Sequence, residues 1–178
     1  MKSIHSFLLL LAAATGCTMT QKDKYDPSEH DPWVIRTFRD RDELWESLRK
    51  RIAAPVGPDG FLANVRFVDD SKFYGLAGVE LVHALPDDYP GGFCFVVDGS
   101  ISSQNEDIVT LLYFHPESLN PADYERPPSA TPTGDVQSVR ILPHVVQEIE
   151  NNLSIANIDM HDVHNGVPED GIYRGIDF

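Results

Sequence analysis

Basic residues and cysteines are both scarce in this sequence. Only 14 lysines and arginines stand against 28 acidic residues in a chain of 178, which gives a formal net charge of −14. This charge excludes nucleic acid as an expected partner, because neutralising phosphates requires a basic protein surface, and it favours a cationic partner. The two cysteines, Cys17 and Cys94, are too few for a disulfide framework or a multi-cysteine zinc site.

The sequence also lacks the short motifs of the common enzyme classes. It contains no GxGxxG or Walker lysine loop, no GxSxG elbow, no HExxH pair and no CxxC pair. The familiar nucleotide-binding and hydrolase mechanisms are therefore not indicated. We expect no cofactor.

The first sixteen residues have the layout of a secretory signal peptide. One charge at Lys2 precedes the apolar run Phe7–Ala14, which is too short to cross a bilayer and is followed by small residues. The tetrapeptide ATGC, which ends at Cys17, resembles a bacterial lipobox, although alanine replaces the usual leucine. We therefore expect an exported protein that a lipid on Cys17 anchors to the membrane, facing the periplasm or the cell exterior. A soluble secreted protein, bacterial or fungal, is the alternative.

The rest of the sequence divides into a tether and one folded domain. Residues 17–32 are polar and contain two prolines, which is typical of a flexible tether. Over residues 33–178 strand patterns alternate with helix patterns, and the apolar runs at 92–98 and 108–114 are typical of buried strands. We predict a single three-layer α/β domain with a mostly parallel sheet of unknown strand order. A proline-rich surface excursion covers residues 115–134.

Two local patterns predict details inside this domain. The segment Asp40-Arg41-Asp42-Glu43 is typical of a capping box in which Asp40 is the N-cap of a helix. Cys94 lies within the apolar run at 92–98, where a lone cysteine is typical of an inert core residue.

Several stretches of the sequence resemble an uncharacterised bacterial and fungal family, the domain of unknown function numbered six-nine-two-four. The strongest is the decapeptide Glu150–Asp159 (ENNLSIANID), and the others are EDGIYRG at 169–175, APVG at 54–57 and FVDD at 67–70. Together they span roughly residues 33–176. The resemblance implies a shared fold and a shared site, but it implies no reaction, because no activity is established for the family.

Polar residues of three kinds are candidates for a ligand site. Asp69, Asp70 and Asp98 follow predicted strands, where open α/β sheets place ligand-binding residues. The decapeptide adds Asn151, Asn157 and Asp159, and Arg174 near the C-terminus is suited to an anionic substrate group. Capping of turns and helix ends is the alternative role for these aspartates and asparagines, and sequence leaves it open.

His161 and His164 are weak candidates for metal ligands. Together with Asp159 and Asp162 they place imidazole and carboxylate groups within six residues, ligand types that suit zinc. The sequence pattern indicates no further metal-ligating residue. We therefore predict a solvated helix end there and no metal.

Three functions are compatible with these features. The first is a non-catalytic, membrane-tethered binding module whose acidic surface meets a cationic protein partner, for example in an immunity-like role against a basic toxin. The second is a secreted or periplasmic enzyme with a carboxylate and asparagine site at the strand ends. The third is a structural lipoprotein of the cell envelope.

Overall fold

The computed structural model of the chain describes residues 27–102, 104–114 and 136–175. The predicted signal peptide at 1–16, the predicted lipidation site Cys17 and the proline-rich excursion at 115–134 lie outside the described residues. Within the described ranges, no helix combines the length and the apolar character needed to cross a membrane.

Six strands and four helices make up the described fold. The strands are β1 (Trp33–Arg36), β2 (Arg66–Val68), β3 (Phe93–Val97), β4 (Val109–Phe114), β5 (Val136–Ile141) and β6 (Ile172–Tyr173). The helices are α1 (Asp42–Ile52), α2 (Gly78–His83), α3 (Val146–Ser154) and α4 (Met160–Asn165), and short 3₁₀ turns lie at Pro27–His30, Ser71–Phe73 and Pro143–Val145.

The strands form one mixed sheet in the order β2-β1-β3-β4-β5-β6. Strand β1 runs parallel to β2 and β3, whereas β4 is antiparallel to both of its neighbours, and β6 is parallel to β5. The α/β class predicted from sequence is confirmed. The mostly parallel sheet is not confirmed, because β3, β4 and β5 follow one another in a meander whose links need no helical crossover.

Buried side chains cover both faces of this sheet. Successive residues of a strand point to opposite faces, so Phe93, Phe95 and Val97 join one buried cluster while Cys94 and Val96 join the other. The first cluster contains the apolar sides of α1, α3 and α4, and the second contains those of α2 and the turn at Ser71–Phe73. Cys94 is fully buried, and burial raises the pKa of its thiol, as expected for an inert core residue.

Helix α1 begins differently from the prediction. Asp40 was the predicted N-cap, but Arg41 occupies that position, and no side chain caps the helix. Both residues have positive φ, 54° for Asp40 and 84° for Arg41. The predicted capping box is therefore wrong, because Asp40 is in a left-handed conformation instead of the extended one that an N-cap requires. The buried side of the helix, formed by Trp45, Leu48 and Ile52, agrees with the helical period.

The connections that leave β1 and β2 pass over opposite faces of the sheet. Helix α1 follows β1 and packs in the first cluster, whereas α2 follows β2 and packs in the second. In the order β2-β1-β3 the strand order reverses between β1 and β3, which are parallel, so their C-terminal ends form the topological switch point of the sheet. Open α/β sheets bind their ligands in the crevice at such a point.

Candidate functional site

The C-terminal ends of β1, β2 and β3 lie at one edge of the sheet, which we call the carboxyl edge. Arg36 is the last residue of β1, Asp69 and Asp70 directly follow β2, and Asp98 directly follows β3. Three of the aspartates predicted from sequence therefore lie at the edge where ligands bind in this class of sheet.

Arg36 is at the centre of this edge, and its side chain is only 4% exposed. Its guanidinium donates hydrogen bonds to Asp42 at 2.7 Å, to Asp69 at 3.0 Å and to the carbonyl oxygen of Phe38 at 3.0 Å. Burial alone would lower the pKa of Arg36, but the bonds to the two carboxylates more than offset this and raise it. Arg36 is thus a fixed, permanently charged group between β1, β2 and the start of α1.

Tyr74 completes the cluster around Arg36. Its hydroxyl donates a 2.6 Å hydrogen bond to Asp69, and this bond to an anionic acceptor is the main cause of the raised pKa of Tyr74. Arg36 and Arg39 both lie over its ring, at 5.7 Å and 5.8 Å from the centroid. These distances allow cation–π contacts, so Tyr74 ties the loop after β1 to the loop after β2.

A crevice opens between these two loops, with a volume of about 400 Å³. We call it the switch-point crevice because the segment after β1, which borders the switch point, forms most of it; its lining consists of Arg36, Arg39, Asp40, Asp42, Ser71 and Tyr74. Arginines and aspartates both contribute, so the crevice offers hydrogen-bond donors and acceptors of opposite charge within a small volume.

Asp70 and Asp98 have local structural partners. Asp70 accepts a hydrogen bond from the backbone N–H of Lys72, and Asp98 accepts one from that of Ser100. Strand β1 lies between β2 and β3, so Asp69 and Asp98 are about 10 Å apart across the sheet. The three carboxylates therefore do not converge on one cation, since Arg36 occupies the strand end between them.

Arg174 lies near β6 and is held by two carboxylates. It forms ion pairs with Asp170 at 2.6 Å and with Glu106 at 3.2 Å. The bond from Arg174 is the main cause of the lowered pKa of Asp170. Arg174 thus links β6 to the loop before β4, and it does not approach the switch-point crevice.

Asn151, Asn157 and Asp159 lie away from the carboxyl edge, on α3 and in the connection to α4. Asn151 donates to the carbonyl oxygen of Gln147, and Asn157 donates to the side chain of Asn152 at 2.7 Å. Asp159 is the N-cap of α4 and forms a complete capping box with Asp162. Asp159 therefore has the capping role that sequence analysis left open, whereas Asn151 bonds a carbonyl within α3 and Asn157 bonds a side chain of α3.

The same connection borders two adjoining cavities at the opposite edge of the sheet. They have volumes of about 390 and 270 Å³ and share Tyr113 and Leu153 in their linings. Asn157 and Asp159 line the second cavity. The decapeptide predicted to carry a shared site thus contributes to a groove as well as to helix capping.

His161 and His164 both belong to α4 and are exposed. His164 lies 3.3 Å from the amide oxygen of Gln137 through its Nε2 atom. Among the residues that the structure describes, no three His, Cys, Asp or Glu side chains form a group that could hold a metal ion.

Sequence reasoning did not find Arg36, Arg39 or Tyr74. Arg36 ends an apolar strand, and nothing in its neighbourhood in the sequence marks it as buried, because its partner Asp69 is 33 positions away. The available signal was the chain order of strand, helix and strand, which brings the ends of β1 and β2 together once their pairing is known.

Comparison with known proteins identifies a family. Residues 31–176 match the family described as Domain of unknown function (DUF6924), so the chain belongs to that family, as the decapeptide and the other shared stretches predicted. No curated protein matches the chain, and no solved structure matches it.

Proposed function

We propose that this DUF6924 member is an exported, lipid-anchored and non-catalytic binding module whose acidic surface takes a cationic protein partner. The observation that carries the proposal is the charge, 28 acidic against 14 basic side chains. A field of this sign attracts a basic protein and accelerates its association.

The carboxyl edge is the part of the surface that we assign to the partner. The segments that directly follow β1, β2 and β3 carry four exposed carboxylates, none of which forms an ion pair with a described residue: Asp40, Glu43, Asp70 and Asp98. Asp42 and Asp69 already neutralise Arg36. The unpaired carboxylates of this edge are therefore available to lysines and arginines of a partner.

The proposed anchor fits this role. A lipid on Cys17 would hold the domain at the outer side of the cytoplasmic membrane or in the periplasm, where it would meet proteins that arrive from outside the cell. One version of the function is an immunity-like role, in which the acidic edge covers the basic active site of a toxin.

Capture from the native envelope tests this proposal. The tagged protein is expressed in its source cells and purified at low salt, beside a variant with Asp40→Asn, Glu43→Gln, Asp70→Asn and Asp98→Asn. Asparagine at 70 and 98 can still accept the backbone hydrogen bonds, so this edge variant should fold. A control variant removes the same number of charges elsewhere, through Glu80→Gln, Asp87→Asn, Asp88→Asn and Glu169→Gln.

The proposal predicts one stoichiometric basic protein on the wild type and on the control, and at least about tenfold less of it on the edge variant. Equal capture by the edge variant and the control would contradict the assignment of the carboxyl edge. Capture of no basic protein by the wild type would contradict the proposed function itself.

A second function, an enzyme or small-ligand protein that works at the strand ends, is favoured by the switch-point crevice. The crevice lies at the carboxyl edge, beside the pair of strands at which α/β sheets bind ligands, and two arginines and two aspartates line it. Under this function Asp40→Asn should abolish ligand binding or turnover without lowering the melting temperature. A variant that melts earlier but keeps full activity would assign Asp40 a structural role only.

A further inference from the structure

We propose that the switch-point crevice binds an α-amino acid in its zwitterionic form, with the carboxylate toward its arginines and the ammonium group toward its aspartates. The inference rests on the second of the two functions above and does not depend on a cationic protein partner. It names the class of ligand that the lining of the crevice would recognise.

Arg36 supplies the buried N–H donors of the crevice. A guanidinium has five N–H donors, and the three hydrogen bonds of Arg36 use one donor each. Two N–H donors of a side chain that is 96% buried are thus without an acceptor among the described residues. A buried donor without an acceptor is costly, and a ligand carboxylate in the crevice would supply one.

Arg39 adds a second positive charge at the exposed side of the crevice. It forms no ion pair with a described residue, and its guanidinium lies over the ring of Tyr74. Helix α1 begins beside it without a side-chain cap, so the N–H groups of its first turn add positive potential. The charge of Arg36 is already neutralised by Asp42 and Asp69. A carboxylate here is therefore favoured by Arg39, by the helix N-terminus and by the two free N–H donors of Arg36.

The aspartates in the lining of the crevice have capacity for a cation. The Asp40 carboxylate lines the crevice and has no hydrogen bond or ion pair with a described residue. Asp42 accepts a hydrogen bond from Arg36 on only one of its two carboxylate oxygens, and its side chain is 84% exposed. The Ser71 hydroxyl lies in the same lining. These oxygen acceptors suit the three N–H donors of an ammonium group.

Charge decides between a zwitterion and simpler ions. A simple anion would satisfy the arginines, but the chain carries a net charge of −14 and would repel it. A simple cation would leave the two free donors of Arg36 without an acceptor. A zwitterion has no net charge and satisfies both sides, and a crevice of about 400 Å³ is within the size range of small-ligand sites.

Titration calorimetry of the purified full-length protein tests this inference. The twenty L-amino acids are the probes, each titrated separately, and the N-acetyl derivative and the decarboxylated amine of the best binder are the matched controls. We expect at least one amino acid to bind with a Kd below about 1 mM, and both derivatives to bind at least about tenfold more weakly. The inference would be overturned if none of the amino acids gave a heat of binding, or if a derivative bound as well as its parent amino acid.

Variants locate the site. Arg39→Gln and Asp40→Asn should each weaken binding at least about tenfold while the melting temperature is unchanged, because neither side chain has a structural ion pair and asparagine tolerates a positive φ. Lys50→Gln and Asp59→Asn are the controls, since both side chains are exposed and lie outside the crevice. Unchanged binding in Arg39→Gln and Asp40→Asn would overturn the assignment to this crevice.

The cationic protein partner and the amino acid site can be overturned separately. If no amino acid binds but the native envelope yields a stoichiometric basic protein, the amino acid site is overturned and the cationic partner stands. If an amino acid binds and no basic protein is captured, the cationic partner is overturned and the amino acid site stands.

Discussion

At the scale of single residues, Arg36 holds the carboxyl edge together. Its side chain is buried, while the two carboxylates that neutralise it differ in exposure, 37% for Asp69 and 84% for Asp42. Asp69 also accepts the Tyr74 hydroxyl at 2.6 Å. Loss of Asp69 therefore removes two bonds, of which the bond from Arg36 is partly buried, whereas water can replace much of what the more exposed Asp42 contributes.

Asparagine substitutions at these two positions test this difference. Asp69→Asn should lower the free energy of unfolding by about 2 kcal/mol, because it leaves a buried guanidinium short of one charged partner. Asp42→Asn should lower the free energy of unfolding by clearly less than this. Urea unfolding of both variants measures the two values, and an equal or larger loss in Asp42→Asn would contradict this account of the cluster.

Asp159 has a different role, the capping of α4. Its side chain accepts from the backbone N–H groups of His161 and Asp162 at 2.8 and 3.0 Å. Asp159→Ala should therefore destabilise the domain by about 1 kcal/mol, and Asp159→Asn by much less, since asparagine is an equally good N-cap. Thermal unfolding distinguishes the two variants. If Asp159→Asn kept its stability but lost a ligand or partner, Asp159 would have a binding role besides capping.

At the scale of elements, α3 is attached to the loop before β2 through a buried acid. Glu150 is 3% exposed and accepts from the backbone N–H of Asn64 at 3.0 Å and from Ser154 at 3.2 Å. Burial raises the pKa of Glu150, and the bonds from Asn64 and Ser154 only partly offset this. No arginine or lysine forms an ion pair with this carboxylate within the described part of the chain.

This buried acid predicts a pH dependence of stability. Because the folded pKa lies above the unfolded one, folding binds protons, so the contribution of Glu150 is fully present below the ordinary glutamate pKa and is lost as pH rises through the folded pKa. Glu150→Gln keeps one acceptor oxygen for the Asn64 N–H, can donate to the Ser154 hydroxyl through its amide, and cannot ionise. Relative to wild type, this variant should thus gain stability as the pH rises above the ordinary glutamate pKa of about 4.3. Exposed Glu43→Gln is the control, and parallel pH profiles for wild type and Glu150→Gln would contradict the assignment.

The elements were more predictable from sequence than the way α1 starts. The apolar runs at 92–98 and 108–114 became the buried strands β3 and β4, because few other structures can bury so many consecutive apolar residues. The capping box at Asp40 failed because the motif is short and occurs wherever acids surround a turn. Two positive φ values in succession at 40 and 41 have no signature in these residue types.

At the scale of the whole molecule, strand pairing and charge determine what the chain can do. The order in which the strands pair could not be predicted from the sequence. The ends of β1 and β2 are far apart along the chain, and only the strand order of the sheet shows that they are neighbours. The aspartates after β2 and β3 were predicted at strand ends and lie there, but Arg36, Arg39 and Tyr74 follow from the pairing alone. The acidic charge, in contrast, was readable from composition.

The proposed lipid anchor makes a prediction at this scale. Cys17→Ser should move the protein from the membrane fraction to the soluble fraction, since acylation requires the thiol. Cys94→Ala is the matched control, because Cys94 is buried in the core, and it should stay in the membrane fraction. Cell fractionation shows where each variant is located, and mass spectrometry of the N-terminal peptide shows whether Cys17 is acylated. A wild-type protein that is soluble and unacylated would overturn the anchor and leave the secreted alternative.

The salt dependence of partner binding tests the central claim most directly. The basic protein captured from the envelope is purified, and its Kd is measured against the wild type and the edge variant from about 50 to 300 mM NaCl. The account predicts that wild-type affinity falls at least about tenfold over this range and that the edge variant, already weaker, shows a shallower dependence. A wild-type affinity that does not change with salt, or the same salt dependence in both proteins, would contradict it.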